Sequence, residues 1–163
     1  MSVPVALILL GSLLVFALLL AGFYSWRTGK ATAAPAGQQI VISPIQAGLG
    51  DSAADHSADG LSRSADSWGS RITLLQFSTE ICAKCPATRR LLGAIADERP
   101  DVQHAEVDLT HRPDLAATHR ILQTPTVFVL DAEGRLLHRI GGAPTAATVT
   151  NILEPLGVNR VAV

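Results

Sequence analysis

Apolar residues fall into separate blocks along the chain, each with its own period. The first, Val3 to Trp26, contains no charged side chain. Its apolar residues cover every face of a helix instead of forming a stripe. At about 1.5 Å per residue, a helix of this length crosses a hydrocarbon core of about 30 Å. Tyr24 and Trp26 follow at one end, where amphipathic rings favour the lipid–water boundary. A cleaved leader would need a basic N-terminal region, and no Lys or Arg precedes the block. The pattern predicts a transmembrane anchor over residues 1–26. Arg27 and Lys30 lie just after it, so the positive-inside rule favours the cytoplasm for its C-terminal side, with an extracytoplasmic placement as the alternative.

Residues 27–70 read as a flexible tether. Ala, Ser, Gly and Asp dominate, and few large apolar groups are available to bury. Ile40–Val41–Ile42 is a short apolar interruption. Leu61 to Trp68 has the makings of a short first helix.

From Arg71 onward the periods are those of a folded domain, 71–163. Ile72 to Phe77 is a buried-strand run. Ala87 to Glu98 predicts a helix with Leu91, Leu92, Ile95 and Ala96 inward and Pro86 in its first turn. Val102 to Leu109 alternates as a strand through Ala105, Val107 and Leu109. Pro113 to Arg120 predicts a short helix carrying Leu115 and Ala116. Thr126 to Leu130 and Leu136 to Ile140 form a hairpin around Asp131–Ala132–Glu133–Gly134, with Gly134 at a positive φ. Thr145 to Leu156 closes the domain as a helix with Ala146, Val149, Ile152 and Leu153 inward. Strands separated by helices imply parallel crossovers, and the hairpin adds an antiparallel edge. The expected class is α/β, a mixed sheet with helices on both faces.

Composition removes several functions. The net charge is −1, which leaves no basic stripe for nucleic acid. Aromatic residues are 4% of the chain, too few for a base-stacking platform. Two cysteines exclude a disulfide-rich scaffold, and also a four-cysteine zinc site within one chain. The five histidines, His56, His104, His111, His119 and His138, show no ligand spacing and read as surface or linker residues. No metal or other cofactor is expected.

The chemistry resides in Cys82 and Cys85, spaced CxxC where a strand gives way to a helix. Unpaired N–H groups and the helix dipole stabilise a thiolate at such a position. The second cysteine, one turn on, can close a ring and expel whatever the first has captured. Lys84, between them, adds a cation.

Leu74 to Pro86, with its CxxC, resembles the active-site strand and turn of the thioredoxin family. Thr124–Pro125–Thr126, ahead of a β-branched strand, resembles the family's cis-proline loop. Glu106 to Leu115 is similar to its central strand and following helix. Asp131 to Leu136 and Ile140–Gly141–Gly142 are similar to its terminal hairpin and glycine turn. The resemblance covers about residues 71–157 and implies the three-layer thioredoxin-like fold.

It further implies Cys82 as nucleophile and Cys85 as resolving thiol. Thr124 and Pro125 would meet the substrate backbone, and a redox-active Cys82–Cys85 disulfide would serve in place of a cofactor. The family's buried carboxylate on the first strand corresponds here to Gln76, and its tryptophan before the first cysteine to Ile81. Ala83–Lys84 stands for its Gly-Pro, and Glu106 for a central-strand lysine. Gln76 does not titrate, so proton transfer from Cys85 falls to water, Glu80 or Glu106.

The expected function is a membrane-anchored thiol–disulfide oxidoreductase. Its partners would be protein thiols and disulfides, and a reductase or other electron donor. The other reading is a redox-inactive binding module that presents its proline loop to a membrane partner.

Overall fold

The structure, a computed structural model, describes residues 3–27, 31–33, 40–49 and 68–158. His56, Lys30 and most of the helix expected over 61–68 lie outside the described residues.

The N-terminal apolar block forms one helix, α1 (Val3–Arg27). Its described side chains, Leu7, Leu13, Phe16, Leu20 and Phe23 among them, are exposed on all sides. Among the described residues no helix is long and apolar enough to cross a membrane.

The remaining elements are β1 (Ala31–Ala33), β2 (Ile72–Ser78), α2 (Cys85–Asp97), β3 (Val102–Asp108), α3 (Pro113–Thr118), β4 (Thr126–Asp131), β5 (Leu136–Gly141) and α4 (Ala146–Leu153). One five-stranded sheet has the order β1-β5-β4-β2-β3. Alternation along its strands separates two cores. Ile72, Leu74, Val127, Val129 and Ile140 pack with Leu92 and Ile95 of α2 and with Val149, Ile152 and Leu153 of α4. Leu75, Phe77, Phe128, Leu130 and Val107 face the other way, against Leu115 of α3. Both faces are therefore covered, and β2, buried on both, reads as an unbroken apolar run. Ala146, expected to point inward, is exposed at the start of α4.

Two departures from the sequence pattern matter. β2 and β3 are parallel, but β4 runs antiparallel to β2 even though a helix precedes it. The reason is length. α3 has six residues, about 9 Å, and cannot carry the chain back along a seven-residue strand of about 23 Å. β4 therefore starts at the end of the sheet where β3 stops.

The second departure lies in the region read as a tether, parts of which belong to the domain. β1 pairs antiparallel with β5. Residues 40–49 pack on the α3 side, with Ile42 and Ala47 buried. The Ile42 amide donates to the Gly134 carbonyl at 2.9 Å, and the Trp68 indole donates to the Ile42 carbonyl at 2.7 Å. A composition poor in large apolar groups hid this, because one isoleucine and one alanine make the buried contact.

Two histidines also depart from the surface reading. The His119 ring stacks on Phe77 at 5.5 Å and meets Phe128 at 6.2 Å, and its Nε2 lies 2.9 Å from the Gln46 carbonyl. His104 sits on β3 with the parity of Val102 and Glu106, and its Nε2 is buried without a partner. Burial, which penalises the imidazolium, lowers its pKa to about 4; Glu106 opposes this and Arg89 adds to it.

Candidate active site

β2 delivers the chain to the site. After Ser78 the backbone turns, with the Cys82 amide donating to the Thr79 carbonyl at 3.1 Å and the Cys85 amide donating to the Cys82 carbonyl at 3.1 Å. α2 starts at Cys85 with Lys84 as its N-cap residue, and Pro86 occupies the first turn, where a missing N–H costs nothing. Cys82 and Cys85 form a disulfide, with Cα atoms 5.4 Å apart. The two sulfurs are not equivalent. Cys85 is buried at 3% exposure, whereas Cys82 is half-buried and reachable from solvent. Ile81, beside it, is almost fully exposed.

A second loop lies against the first. The Thr124–Pro125 peptide bond is cis. The Thr79 and Thr124 hydroxyls meet at 3.1 Å and tie the two loops together. On the far side the Gly142 amide donates to the Pro125 carbonyl at 2.8 Å, and the Thr126 hydroxyl donates to the Gln123 carbonyl at 2.8 Å. The proline loop is thus held from both flanks beside the CxxC turn.

Beneath the disulfide lies Gln76, fully buried on the α2 side of β2. Its Nε2 donates to the Cys85 carbonyl and to Glu106 Oε1, both at 3.2 Å, while its Oε1 has no partner. Glu106 is its register neighbour on β3. The Arg89 guanidinium grips the Glu106 carboxylate with two hydrogen bonds, from Nε to Oε2 and from Nη2 to Oε1. The carboxylate raises the Arg89 pKa through that hydrogen bond.

Of the sequence-predicted site residues, Cys82, Cys85, Thr124, Pro125, Gln76 and Glu106 come together. Lys84 is exposed, and its backbone carbonyl accepts from the Thr88 amide and hydroxyl at 3.1 Å. The Glu80 side chain is exposed; its backbone amide donates to the Thr110 hydroxyl at 3.0 Å, which secures the turn to the β3–α3 connection.

Sequence reasoning missed Arg89 and Thr79. Arg89 follows Cys85 by four residues, one helical turn, so a cation facing Glu106 was readable once β2 and β3 were paired. Thr79 carries no local signal. Among the described residues no cluster of three or more His, Cys, Asp or Glu is arranged to hold a metal ion.

With this geometry in place, comparison with known proteins points one way. The thioredoxin family model matches residues 64–154. The chain is similar to the thioredoxin of Methanocaldococcus jannaschii, 26% identical over 86 residues, covering 52% of this chain and 95% of that one. It is also similar to thioredoxin H2 of Arabidopsis thaliana, 32% identical over 73 residues, 45% of this chain and 54% of the relative. The solved structure of Fasciola hepatica thioredoxin is 23% identical, covers 53% of this chain and 82% of its own, and superimposes with a TM-score of 0.47.

Proposed function

The chain belongs to the thioredoxin family, and we propose that it is a membrane-anchored oxidoreductase that exchanges disulfides with protein substrates. The observation that carries the reading is the Cys82–Cys85 disulfide at the start of α2, with its solvent-accessible member on the turn tied to the cis-proline loop.

The chemistry runs in two exchanges. In the reduced chain the Cys82 thiolate attacks a substrate disulfide, forms a mixed disulfide with one sulfur and releases the other as a thiolate. Cys85 then loses its proton, attacks the Cys82 sulfur and releases the second substrate thiolate. The substrate gains two electrons and, on protonation, two protons. The chain is left as the disulfide, which a dithiol donor must reduce again. The exposure difference supports these roles, since the attacking sulfur must meet the substrate and the resolving one need only meet Cys82. Thr124 and Pro125 would present backbone to the substrate segment, in the manner of strand addition.

Anchoring rests on α1. The helix has 25 residues, about 37 Å, and the sequence holds no charge from Val3 to Trp26. Its exposed leucines find no cover in the domain. Arg27 and Lys30 favour the cytoplasmic side for the domain, where reducing thiol pools make substrate reduction the net direction.

Equilibrating the full chain in detergent against glutathione or dithiothreitol measures the pair directly. A potential near about −270 mV fits a reductase. One near about −120 mV fits an oxidant and reverses the topology. Cys85→Ser is expected to accumulate mixed disulfides through Cys82. Absence of any reversible dithiol–disulfide transition would leave a redox-inactive binding module instead.

A further inference from the structure

The route by which the chain enters the sheet fixes which end of the domain lies nearest α1. β1 pairs antiparallel with β5, Ala31 opposite Ile140 and Ala33 opposite His138. Further on, Val41 bridges Arg135, and the Leu136 amide donates to the Ile40 carbonyl at 2.9 Å. Two separate contacts thus give one direction, from the Ile140 end of β5 toward the Gly134 turn.

The Ile140 end is the redox end. Gly141 follows and pairs with Thr126, and Gly142 holds the Pro125 carbonyl. Thr126 pairs in turn with Phe77, one residue short of the end of β2 and five before Cys82. The dithiol, the proline loop and Ala31 therefore share one end of the sheet. Residues 28–30 alone separate Arg27, the last residue of α1, from Ala31. A chain of that length spans at most about 14 Å. Three strand spacings of about 4.8 Å separate β1 from β2. Together these hold the disulfide within roughly 30 Å of the end of α1. The same end exposes Ile81 and Leu122 almost completely, two large apolar side chains beside Cys82 and Thr124.

We propose that the substrate of this site is a membrane-embedded protein that presents its cysteines at the lipid–water boundary. The inference rests on the anchored oxidoreductase reading above and adds the location and class of the partner. A short connection that ends at the redox end turns Cys82 toward the bilayer. A dithiol meant for soluble partners would be better served by the opposite end, at the Gly134 turn. Tethering raises the effective concentration only for partners within reach of so short a connection.

The test uses the full chain in phospholipid vesicles, co-reconstituted with a synthetic single-span peptide that carries a two-cysteine disulfide. The disulfide is placed either at the bilayer surface or on a rigid helical spacer about 60 Å out. Reduction at the surface is expected to be at least about tenfold faster than on the spacer. Inserting thirty Gly/Ser residues after Arg27 should erase that preference without slowing reduction of a soluble protein disulfide. Equal rates at both positions, with soluble disulfide still reduced, would overturn the inference and leave the oxidoreductase reading intact. Loss of soluble-disulfide reduction as well would overturn that reading. Failure of the chain to float with the vesicles would overturn the anchor and, with it, this proposal.

Discussion

Gln76 and Glu106 are register neighbours on β2 and β3, and the buried Gln76 amide donates to the Glu106 carboxylate at 3.2 Å. The same Nε2 also donates to the Cys85 carbonyl. One amide thus links the Cys85 backbone to the only carboxylate joined to it by hydrogen bonds among the described residues. The Glu80 side chain has no such link. Its backbone secures the turn through Thr110.

Glu106 is therefore the residue to change first. Glu106→Gln is expected to slow release of the mixed disulfide by about tenfold or more, within the usual range for a lost proton acceptor. The first attack by Cys82 should keep its rate. Stability should fall by less than about 1 kcal/mol, because Arg89 is largely exposed and its ion pair is weak in water. Rapid-mixing traces of mixed-disulfide decay, taken against pH, separate the two steps. An unchanged decay rate and pH profile would confine Glu106 to holding Arg89.

His104 gives the pH dependence of the fold. Its folded pKa of about 4 lies below the usual 6.5, so the unfolded chain binds the proton more tightly. Stability is then full above about pH 6.5 and falls as the pH drops toward 4, by on the order of 2 kcal/mol. Urea midpoints measured across this window should show the slope. His104→Leu should flatten it and raise the midpoint at pH 5, since it also removes a buried nitrogen with no partner.

The Thr79–Thr124 hydroxyl contact is the side-chain tie between the CxxC turn and the proline loop. Thr79→Val keeps the shape and removes the bond, at a cost of about 1 kcal/mol. The lost bond positions the loop proposed above to meet substrate, so KM for a protein disulfide is expected to rise more than kcat falls. Steady-state assays on the full chain read the split. A drop in kcat alone would place the contact outside substrate binding.

How far the sequence carried the fold is visible in particular residues. The unbroken run Ile72–Phe77, the spacing of Leu92 and Ile95, and Pro86 after the cysteines placed β2 and α2 on either side of the site. Gly134, at φ 78°, stands where the hairpin needed it. The direction of β4 was not legible, because it depends on the physical length of α3 and on strand neighbours that no local period records. Arg89 becomes readable only once β2 and β3 are paired, because its meaning depends on Glu106, seventeen residues on, in β3. The stacking of His119 between Phe77 and the Gln46 carbonyl depends on contacts from three separate segments.

The 40–49 segment was the least legible part, and it supports a direct test. Ile42 is 2% exposed and packs in the α3-side core, with both backbone polar groups bonded to Gly134 and Trp68. Ile42→Ala should cost about 2–4 kcal/mol, the range for a truncated core isoleucine. A flexible tether would show no change. Gly134→Ala should be costly too. The new Cβ would collide with the Ile42 carbonyl and the Trp68 indole, on a backbone at positive φ that side chains disfavour. Urea unfolding of the full chain in detergent measures both. Loss in Gly134→Ala without loss in Ile42→Ala would mean that the turn alone is strained, and would return residues 40–49 to the tether.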